Sequence, residues 1–169
     1  TTFQKLDRIW AHNTPGEFQV EAMTEGDKKM VYAAYMAMVS LIDNQVGRIL
    51  DALEESGQAD DTLVVFMSDH GEMLGDHGIY FKGPHFYDCQ MRVPLVMRWP
   101  NGGITKNRRV EGFVELVDLM PTFLEAVGLP IPSAVQGKSL LPLLVGGDEG
   151  DSCRDQVYAE YYNEVNHAT

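Results

Sequence analysis

Residues 62 to 71 read TLVVFMSDHG, an apolar run that ends in a polar tripeptide. Residues 62 to 67 show no alternation of apolar and polar side chains, which predicts a strand buried on both faces, as in the centre of a parallel sheet. Asp69 and His70 follow directly, at the carboxyl end of this predicted strand, where open α/β sheets bind their ligands. The stretch therefore predicts an α/β fold with a candidate site at Asp69 and His70.

A long helix is predicted before this strand, from about residue 27 to residue 56. Thr24 is a candidate N-cap because Asp27, three residues later, nearly completes a capping box, and Gly57 is a candidate C-cap. Apolar residues at spacings of three and four form one stripe along this predicted helix: Met38, Ile42, Val46, Ile49 and Leu53. A helix, a tight connection and a buried strand in succession are typical of α/β folds.

Further elements are predicted on the C-terminal side. VPLVMRW (residues 93 to 99) predicts a second buried strand, and QVYAEYY (residues 156 to 162) predicts a third. LVDLMPTFLEAVG (residues 116 to 128) predicts a short amphipathic helix with a proline near its first turn, and GKSLLPLLVGG predicts a short helix or turn. Because so few strands do not complete a sheet, we expect residues 1 to 169 to be a single, incomplete domain.

Charge and composition exclude several classes of partner. The formal net charge is −12, from 13 basic and 25 acidic residues, which argues against nucleic acid and membrane surfaces as partners. An anionic substrate would need a local cation to receive it. No apolar stretch reaches the roughly eighteen residues that a membrane span requires. Cys89 and Cys153 lack a CxxC spacing and leave the redox compartment open, and neither localisation nor oligomeric state is predicted.

The first Asp-His-Gly, at residues 69 to 71, offers a carboxylate oxygen and an imidazole nitrogen. These donors suit a divalent ion such as calcium, magnesium, manganese or zinc. Gly71 is expected to permit the turn that brings both side chains together. The alternative is that Asp69 caps the next turn and that His70 is an ordinary hydrogen-bonded polar residue.

Other polar residues near this site have more than one interpretation. The second Asp-His-Gly, at residues 76 to 78, has no strand before it and predicts a solvated or self-bonded turn, with an outer contact to the first site as the alternative. Lys82 is a candidate for binding an anionic substrate oxygen, although a loop lysine is commonly exposed to solvent. Arg92 is expected to form an ion pair with Asp88 or Glu115.

No nucleophile is evident in the chain. Cys89 and Cys153 have no neighbouring base or activating motif, and Ser68 lacks a Gly-x-Ser-x-Gly elbow. The sequence therefore predicts one half of a two-part site.

The segment DNQVGRILDALEESGQADDTLVVFMSDHGEMLGDHGIYFKGPHFYDCQMRVPLVMRWP closely resembles the C-terminal half of the catalytic domain of type I sulfatases. These enzymes belong to the alkaline-phosphatase-like superfamily. VELVDLMPTFLEAVGLPIP and QGKSLLPLL resemble the same family, so the resemblance covers roughly residues 31 to 162. It implies part of an α/β domain, with a mainly parallel sheet flanked by helices and with the N-terminal half missing.

The resemblance also implies roles for three residues. Asp69 and His70 match the family's ligands for a divalent metal ion, usually calcium, and Lys82 matches the lysine that contacts the sulfate group. The formylglycine nucleophile, made from Cys or Ser in a C-x-P-x-R type motif, lies N-terminal to the matched region in the family. So do the metal-binding aspartates of the first strand.

The implied function is that of a sulfuric ester hydrolase acting on a sulfate-ester small molecule or a sulfated glycan. The missing N-terminal half of the same protein would be its partner, and the isolated chain is expected to be inactive. Asp-His pairs also occur in phosphonate monoester hydrolases and phosphodiesterases of the superfamily, which are the alternative enzymes. A noncatalytic binding domain with the same fold is the alternative of a different class.

Overall fold

A computed structural model describes residues 20–104, 108–146 and 154–161. The helices are α1 (Glu25–Glu55), α2 (Asp88–Met91), α3 (Leu119–Ala126) and α4 (Leu141–Leu144). The strands are β1 (Val64–Met67) and β2 (Leu95–Arg98), which pair in a two-stranded sheet. Short 3₁₀ turns lie at Val20–Ala22, Asp76–Gly78 and Leu116–Asp118.

Helix α1 begins and ends within two residues of the predicted positions. The Thr24 hydroxyl accepts a hydrogen bond from the Asp27 amide at 3.2 Å, and the Thr24 amide donates to the Asp27 carboxylate at 2.8 Å. This reciprocal pair forms the capping box that satisfies exposed amides at the helix start. Ser56 is the C-cap, and Gly57 follows in the left-handed conformation with φ +69°, which glycine adopts without steric cost.

The apolar stripe of α1 is not buried in the described part of the chain. No residue of α1 is buried, and Met38, Ile42 and Ile49 are more than half exposed. An amphipathic helix buries its stripe only where another apolar surface covers it. The described residues supply no such surface for α1.

The strands are shorter and less buried than predicted. Phe66 in β1 is 41% exposed and Val96 in β2 is 60% exposed, so full burial on both faces is wrong for the described residues. A sheet of two strands lacks the layers that cover a central strand on both faces. The third predicted strand is not observed, because residues 156–161 are irregular, and residue 162 lies outside the described residues.

The chain divides into two compact units. Among the described residues, the first comprises 20–58 and 66–95, and the second comprises 59–65, 96–104, 108–146 and 154–161. In the first unit, Met73, Ile79 and Tyr80 are buried together with the polar side chains of His85 and Gln90. The first unit therefore contains the loop that follows β1 and helix α2, which are the elements that position the candidate site.

The second unit is built around α3 and α4. Its buried apolar residues include Ile104, Leu119, Leu140 and Leu143. The 3₁₀ turn at Leu116–Asp118 leads into α3, and Gly128 follows with φ +71°, which confirms the helix predicted over residues 116 to 128. In GKSLLPLLVGG, for which a short helix or turn was predicted, the structure has helix α4. Among the described helices, none is both long enough and apolar enough to cross a membrane.

A buried ion-pair network holds the second unit together. The Asp118 carboxylate, 1% exposed, accepts hydrogen bonds from the Arg154 guanidinium and from the backbone amides of Glu115 and Lys138 at 2.8 and 2.7 Å. Arg154 also pairs with the Glu115 carboxylate at 2.9 Å. Burial alone would raise the pKa of the Asp118 carboxyl, but these hydrogen bonds outweigh burial and hold the pKa below its usual value.

Candidate metal site

Asp69 and His70 lie in the loop that directly follows β1, as predicted. Local hydrogen bonds fix the backbone there: the Ser68 hydroxyl donates to the His70 carbonyl at 2.8 Å, and the His70 amide donates to Asp69 Oδ1 at 3.0 Å. The Asp69 side chain is 80% exposed and the His70 side chain is 38% exposed. One carboxylate oxygen therefore supports the loop, while Oδ2 stays accessible to solvent and to a ligand.

The His70 ring is oriented by the next peptide group. Its Nδ1 lies 2.9 Å from the Gly71 carbonyl oxygen. Because a carbonyl oxygen can only accept, Nδ1 carries the proton in this contact, and the neutral ring has its lone pair on Nε2. Nε2 lies 3.5 Å from Asp69 Oδ2. A histidine whose other ring nitrogen donates to a carbonyl is the usual arrangement of a metal-ligating imidazole.

The two donor atoms fit a divalent cation. Metal ions bind imidazole nitrogen and carboxylate oxygen at roughly 2.0–2.6 Å, so a spacing of 3.5 Å between Nε2 and Oδ2 allows one ion to contact both. Within the described residues, no group of three or more His, Cys, Asp or Glu side chains is arranged to hold a metal. Asp69 and His70 therefore offer two candidate donor atoms, fewer than a complete metal site requires.

Gly71 has a different role from the one predicted. Its backbone is not in the left-handed region, so a special turn is not what requires glycine. The loop instead packs against the backbone of α2: the Gly71 amide donates to the Gln90 carbonyl at 2.7 Å, and the Glu72 amide donates to the Cys89 carbonyl at 3.2 Å. A Cβ on Gly71 would lie 2.8 Å from the Cys89 carbonyl carbon, inside normal contact distance.

The second Asp-His-Gly forms the 3₁₀ turn Asp76–Gly78, in agreement with the predicted turn. His77 adopts φ +55° and stacks on Tyr87, with ring centroids 3.9 Å apart and planes 19° apart. Gly78 has φ +73°, and no atom lies within 4 Å of the position of a Cβ. In the second copy the histidine packs on an aromatic ring, and the glycine serves the turn.

Lys82 lies on the same loop and is exposed. In the described part of the chain, no hydrogen bond or ion pair joins it to Asp69 or His70. Phe81 before it has φ +68°, and Gly83 after it lies close to the His85 imidazole. The structure thus brings Asp69 and His70 together, and the metal role of this pair and the sulfate-binding role of Lys82 all stay predictions.

Comparison with known proteins identifies the family. The family model described as Sulfatase matches residues 10–129. An N-acetylglucosamine-6-O-sulfatase from Bacteroides thetaiotaomicron is 35% identical over 148 residues, which are 88% of this chain and 26% of that protein. The chain belongs to the sulfatase family.

Two further relatives carry the names of related activities. The "Multifunctional alkaline phosphatase superfamily protein PehA" from Trinickia caryophylli is 39% identical over 82% of this sulfatase-family chain and 27% of its own length. A phosphonate monoester hydrolase from Silicibacter pomeroyi has a structure that matches with a TM-score of 0.70 and 42% identity, over 74% of this chain and 24% of the other. The fold is alkaline-phosphatase-like, and the chain spans about a quarter of the length of the relatives it matches.

Membership of the sulfatase family implies a divalent metal and a formylglycine nucleophile, and Cys89 does not suit the second role. The residues from Cys89 onward read CQMRV and do not match C-x-P-x-R, while burial and the neighbouring Asp76 carboxylate raise the pKa of the thiol. Its Sγ lies 3.5 Å from Met73 Sδ, a packing contact. Cys153 lies outside the described residues.

The contact of Gln90 with the loop after β1 was not predicted from the sequence, whereas the ion pair of Arg92 was predicted correctly. Arg92 pairs with Asp88 at 3.4 Å on the exposed side of α2. Gln90 is 5% exposed and donates from Nε2 to the Gly71 carbonyl at 3.3 Å. A polar residue between Cys89 and Met91 was the available signal, but the sequence gives no indication that α2 lies against the loop after β1.

Proposed function

We propose that this chain is the C-terminal part of a metal-dependent sulfatase that hydrolyses sulfate esters. Residues 1 to 169 would form part of one catalytic domain, with the formylglycine nucleophile upstream. The observation that carries the proposal is the paired geometry of Asp69 and His70, whose Oδ2 and Nε2 atoms lie 3.5 Å apart at the carboxyl end of β1. The match of the Sulfatase family model over residues 10–129 supports it.

In this proposal Asp69 and His70 hold a divalent ion, calcium being the expected one. Such an ion, when bound, supplies Lewis-acid polarisation of the ester oxygens. The Gly71 carbonyl keeps the proton on His70 Nδ1, so that Nε2 remains a ligand. The exposed Asp69 carboxylate contributes the negative charge that a hard cation prefers.

Lys82 is proposed to bind a sulfate oxygen. The chain has a formal net charge of −12, so an anionic ester needs a nearby cation to offset long-range repulsion. A lysine ammonium supplies a compact positive charge with three donors. The proposed substrates are sulfated glycans or smaller sulfate esters, which the name of the N-acetylglucosamine-6-O-sulfatase relative supports.

The test is Asp69→Ala in the full-length protein, with His77→Ala as the matched control from the second Asp-His-Gly. We expect Asp69→Ala to lose calcium binding, measured by calorimetry, and aryl sulfate turnover, whereas His77→Ala keeps most of both. Turnover near that of the unaltered protein in the Asp69→Ala variant would contradict the assignment.

The role of Lys82 has its own test. Lys82→Met should reduce aryl sulfate turnover without loss of calcium binding, and Lys29→Met, at an exposed position of α1, should leave both unchanged. The isolated 169-residue chain should show negligible hydrolysis; metal-dependent turnover by that chain would contradict the proposed division of the active site.

A second candidate function is hydrolysis of phosphonate monoesters or phosphodiesters. The 42% identity to a phosphonate monoester hydrolase of solved structure favours it, and an Asp-His metal pair suits either ester. Rates with an aryl sulfate and with an aryl phosphonate monoester, measured on the same preparation, distinguish the two. A higher kcat/KM for the phosphonate would replace the sulfatase proposal.

A further inference from the structure

Gln90 is a buried polar residue that contacts the metal-site loop. It lies on α2 and is 5% exposed. Its side-chain Nε2 donates to the Gly71 carbonyl oxygen at 3.3 Å, and its Oε1 has no hydrogen-bond partner in the described part of the chain. Within that part, the polar end of Gln90 is therefore directed at one atom, the Gly71 oxygen.

The same oxygen receives the imidazole of His70. Nδ1 of His70 lies 2.9 Å from it, and a carbonyl oxygen has two lone pairs, so Gln90 and His70 share it. The backbone bonds from Gly71 to Gln90 and from Glu72 to Cys89 hold the same peptide against α2. Gln90 can therefore influence the orientation of the His70 ring through one shared acceptor.

We propose that Gln90 is a positioning residue for the metal site at Asp69 and His70. The inference rests on the proposed function. By occupying one lone pair of the Gly71 carbonyl, the Gln90 amide fixes the direction of the other, which holds His70 with Nε2 towards Asp69. Gln90 itself contacts neither metal nor substrate, and its effect passes through Gly71.

If Gln90 only packed the interior, replacing it would lower the stability of the protein. If Gln90 positions His70, the replacement should change calcium affinity without lowering stability. A buried acceptor without a partner is unfavourable, so an apolar side chain of similar length fills the same space at no loss of stability or with a gain. The Gly71 carbonyl would still be satisfied by His70. Gln90→Met should therefore fold, and only the constraint on the His70 ring should be lost.

The experiment compares Gln90→Met with Gln45→Met, the same change at an exposed position of α1, in the full-length protein. We expect calcium affinity, measured by calorimetry, to fall roughly 10-fold in Gln90→Met, while the denaturant midpoint of the metal-free protein stays the same or rises. Gln45→Met should change neither quantity. Unaltered calcium affinity in Gln90→Met, or a matching loss of stability without metal, would overturn the proposal.

A second measurement uses the unaltered protein and does not depend on the variant folding. Long-range ¹H–¹⁵N spectra of the calcium-bound protein should show the His70 proton on Nδ1. A proton on Nε2 would overturn the proposal even with calcium bound. Absence of calcium binding by the unaltered protein would instead contradict the proposed function, and this inference with it.

Discussion

Replacing Gly71 with alanine adds one methyl group where the loop after β1 touches the backbone of α2. The new Cβ would lie 2.8 Å from the Cys89 carbonyl carbon and 2.9 Å from Gln90 Cα, and closer still to the Cys89 oxygen. Non-bonded carbon atoms pack at roughly 3.5–4.0 Å. The loop and α2 must therefore separate by about 0.7 Å or more, because backbone atoms cannot rotate out of the way as a side chain can.

The magnitude follows from the contacts that this separation weakens. Three hydrogen bonds join the loop to α2: Gly71 N to Gln90 O, Glu72 N to Cys89 O, and Gln90 Nε2 to Gly71 O. At about 1 kcal/mol each, their loss lowers the free energy of unfolding by about 3 kcal/mol. The Gly71 carbonyl also moves away from His70 Nδ1, so metal affinity should fall by about 10-fold or more.

Gly78→Ala is the matched control, because it makes the same change in the second Asp-His-Gly. No atom lies within 4 Å of its Cβ position, but its φ of +73° costs an alanine about 1–2 kcal/mol. Calorimetric calcium titration and denaturant unfolding of both full-length variants should show destabilisation in both and weakened metal binding only in Gly71→Ala. Equal loss of affinity in the two variants, or full affinity in Gly71→Ala, would refute the reasoning.

Two further predictions concern the second unit. Thr122 is fully buried; its hydroxyl donates to the Asp118 carbonyl at 2.6 Å and accepts from the Leu140 amide at 2.8 Å. Thr122→Val should lower the free energy of unfolding by about 1–3 kcal/mol, measured by denaturant titration, whereas Thr122→Ser should retain most of the stability. If Thr122→Val leaves the free energy of unfolding unchanged, the Leu140 amide has found another acceptor, which would contradict this role of Thr122. The lowered native pKa of Asp118 means that its carboxylate stabilises the fold above its unfolded pKa of about 4 and that this contribution is lost as pH falls through the native pKa. Asp118→Asn should therefore be less stable at neutral pH and lose less stability on acidification, as followed by melting temperature from about pH 7 to pH 2; an unchanged acid dependence would contradict the role of this carboxylate.

The parts of the fold that sequence predicts well are those governed by neighbours in the chain. Thr24, Asp27 and Gly57 mark the ends of α1 because capping involves residues three or four apart. Burial was predicted less well. Whether Ile42 or Phe66 is covered depends on surfaces that the helix or strand does not itself contain, so an apolar stripe shows which face can be buried without showing that it is.

The same division applies to the candidate site. The position of Asp69 and His70 after β1 follows from the local pattern of an apolar run ending in polar residues. The requirement for glycine at position 71 does not, since it arises from α2, whose Gln90 is 19 residues further along the chain. Sequence reasoning therefore predicted the position of Asp69 and His70 and missed the contact that orients the His70 ring.

The two copies of Asp-His-Gly have the same residues but make different contacts. In the first copy, Gly71 allows the backbone to lie close to α2. The Gly71 carbonyl oxygen then lies 2.9 Å from His70 Nδ1, and His70 Nε2 is directed to the Asp69 side chain. In the second, the His77 ring lies 3.9 Å from Tyr87, and Gly78 serves a left-handed turn in open space. A histidine becomes a good ligand when a fixed acceptor holds the proton on its other nitrogen. That acceptor is present beside His70, whereas His77 uses its ring for packing, so the difference in chemistry lies in the contacts and not in the three residues.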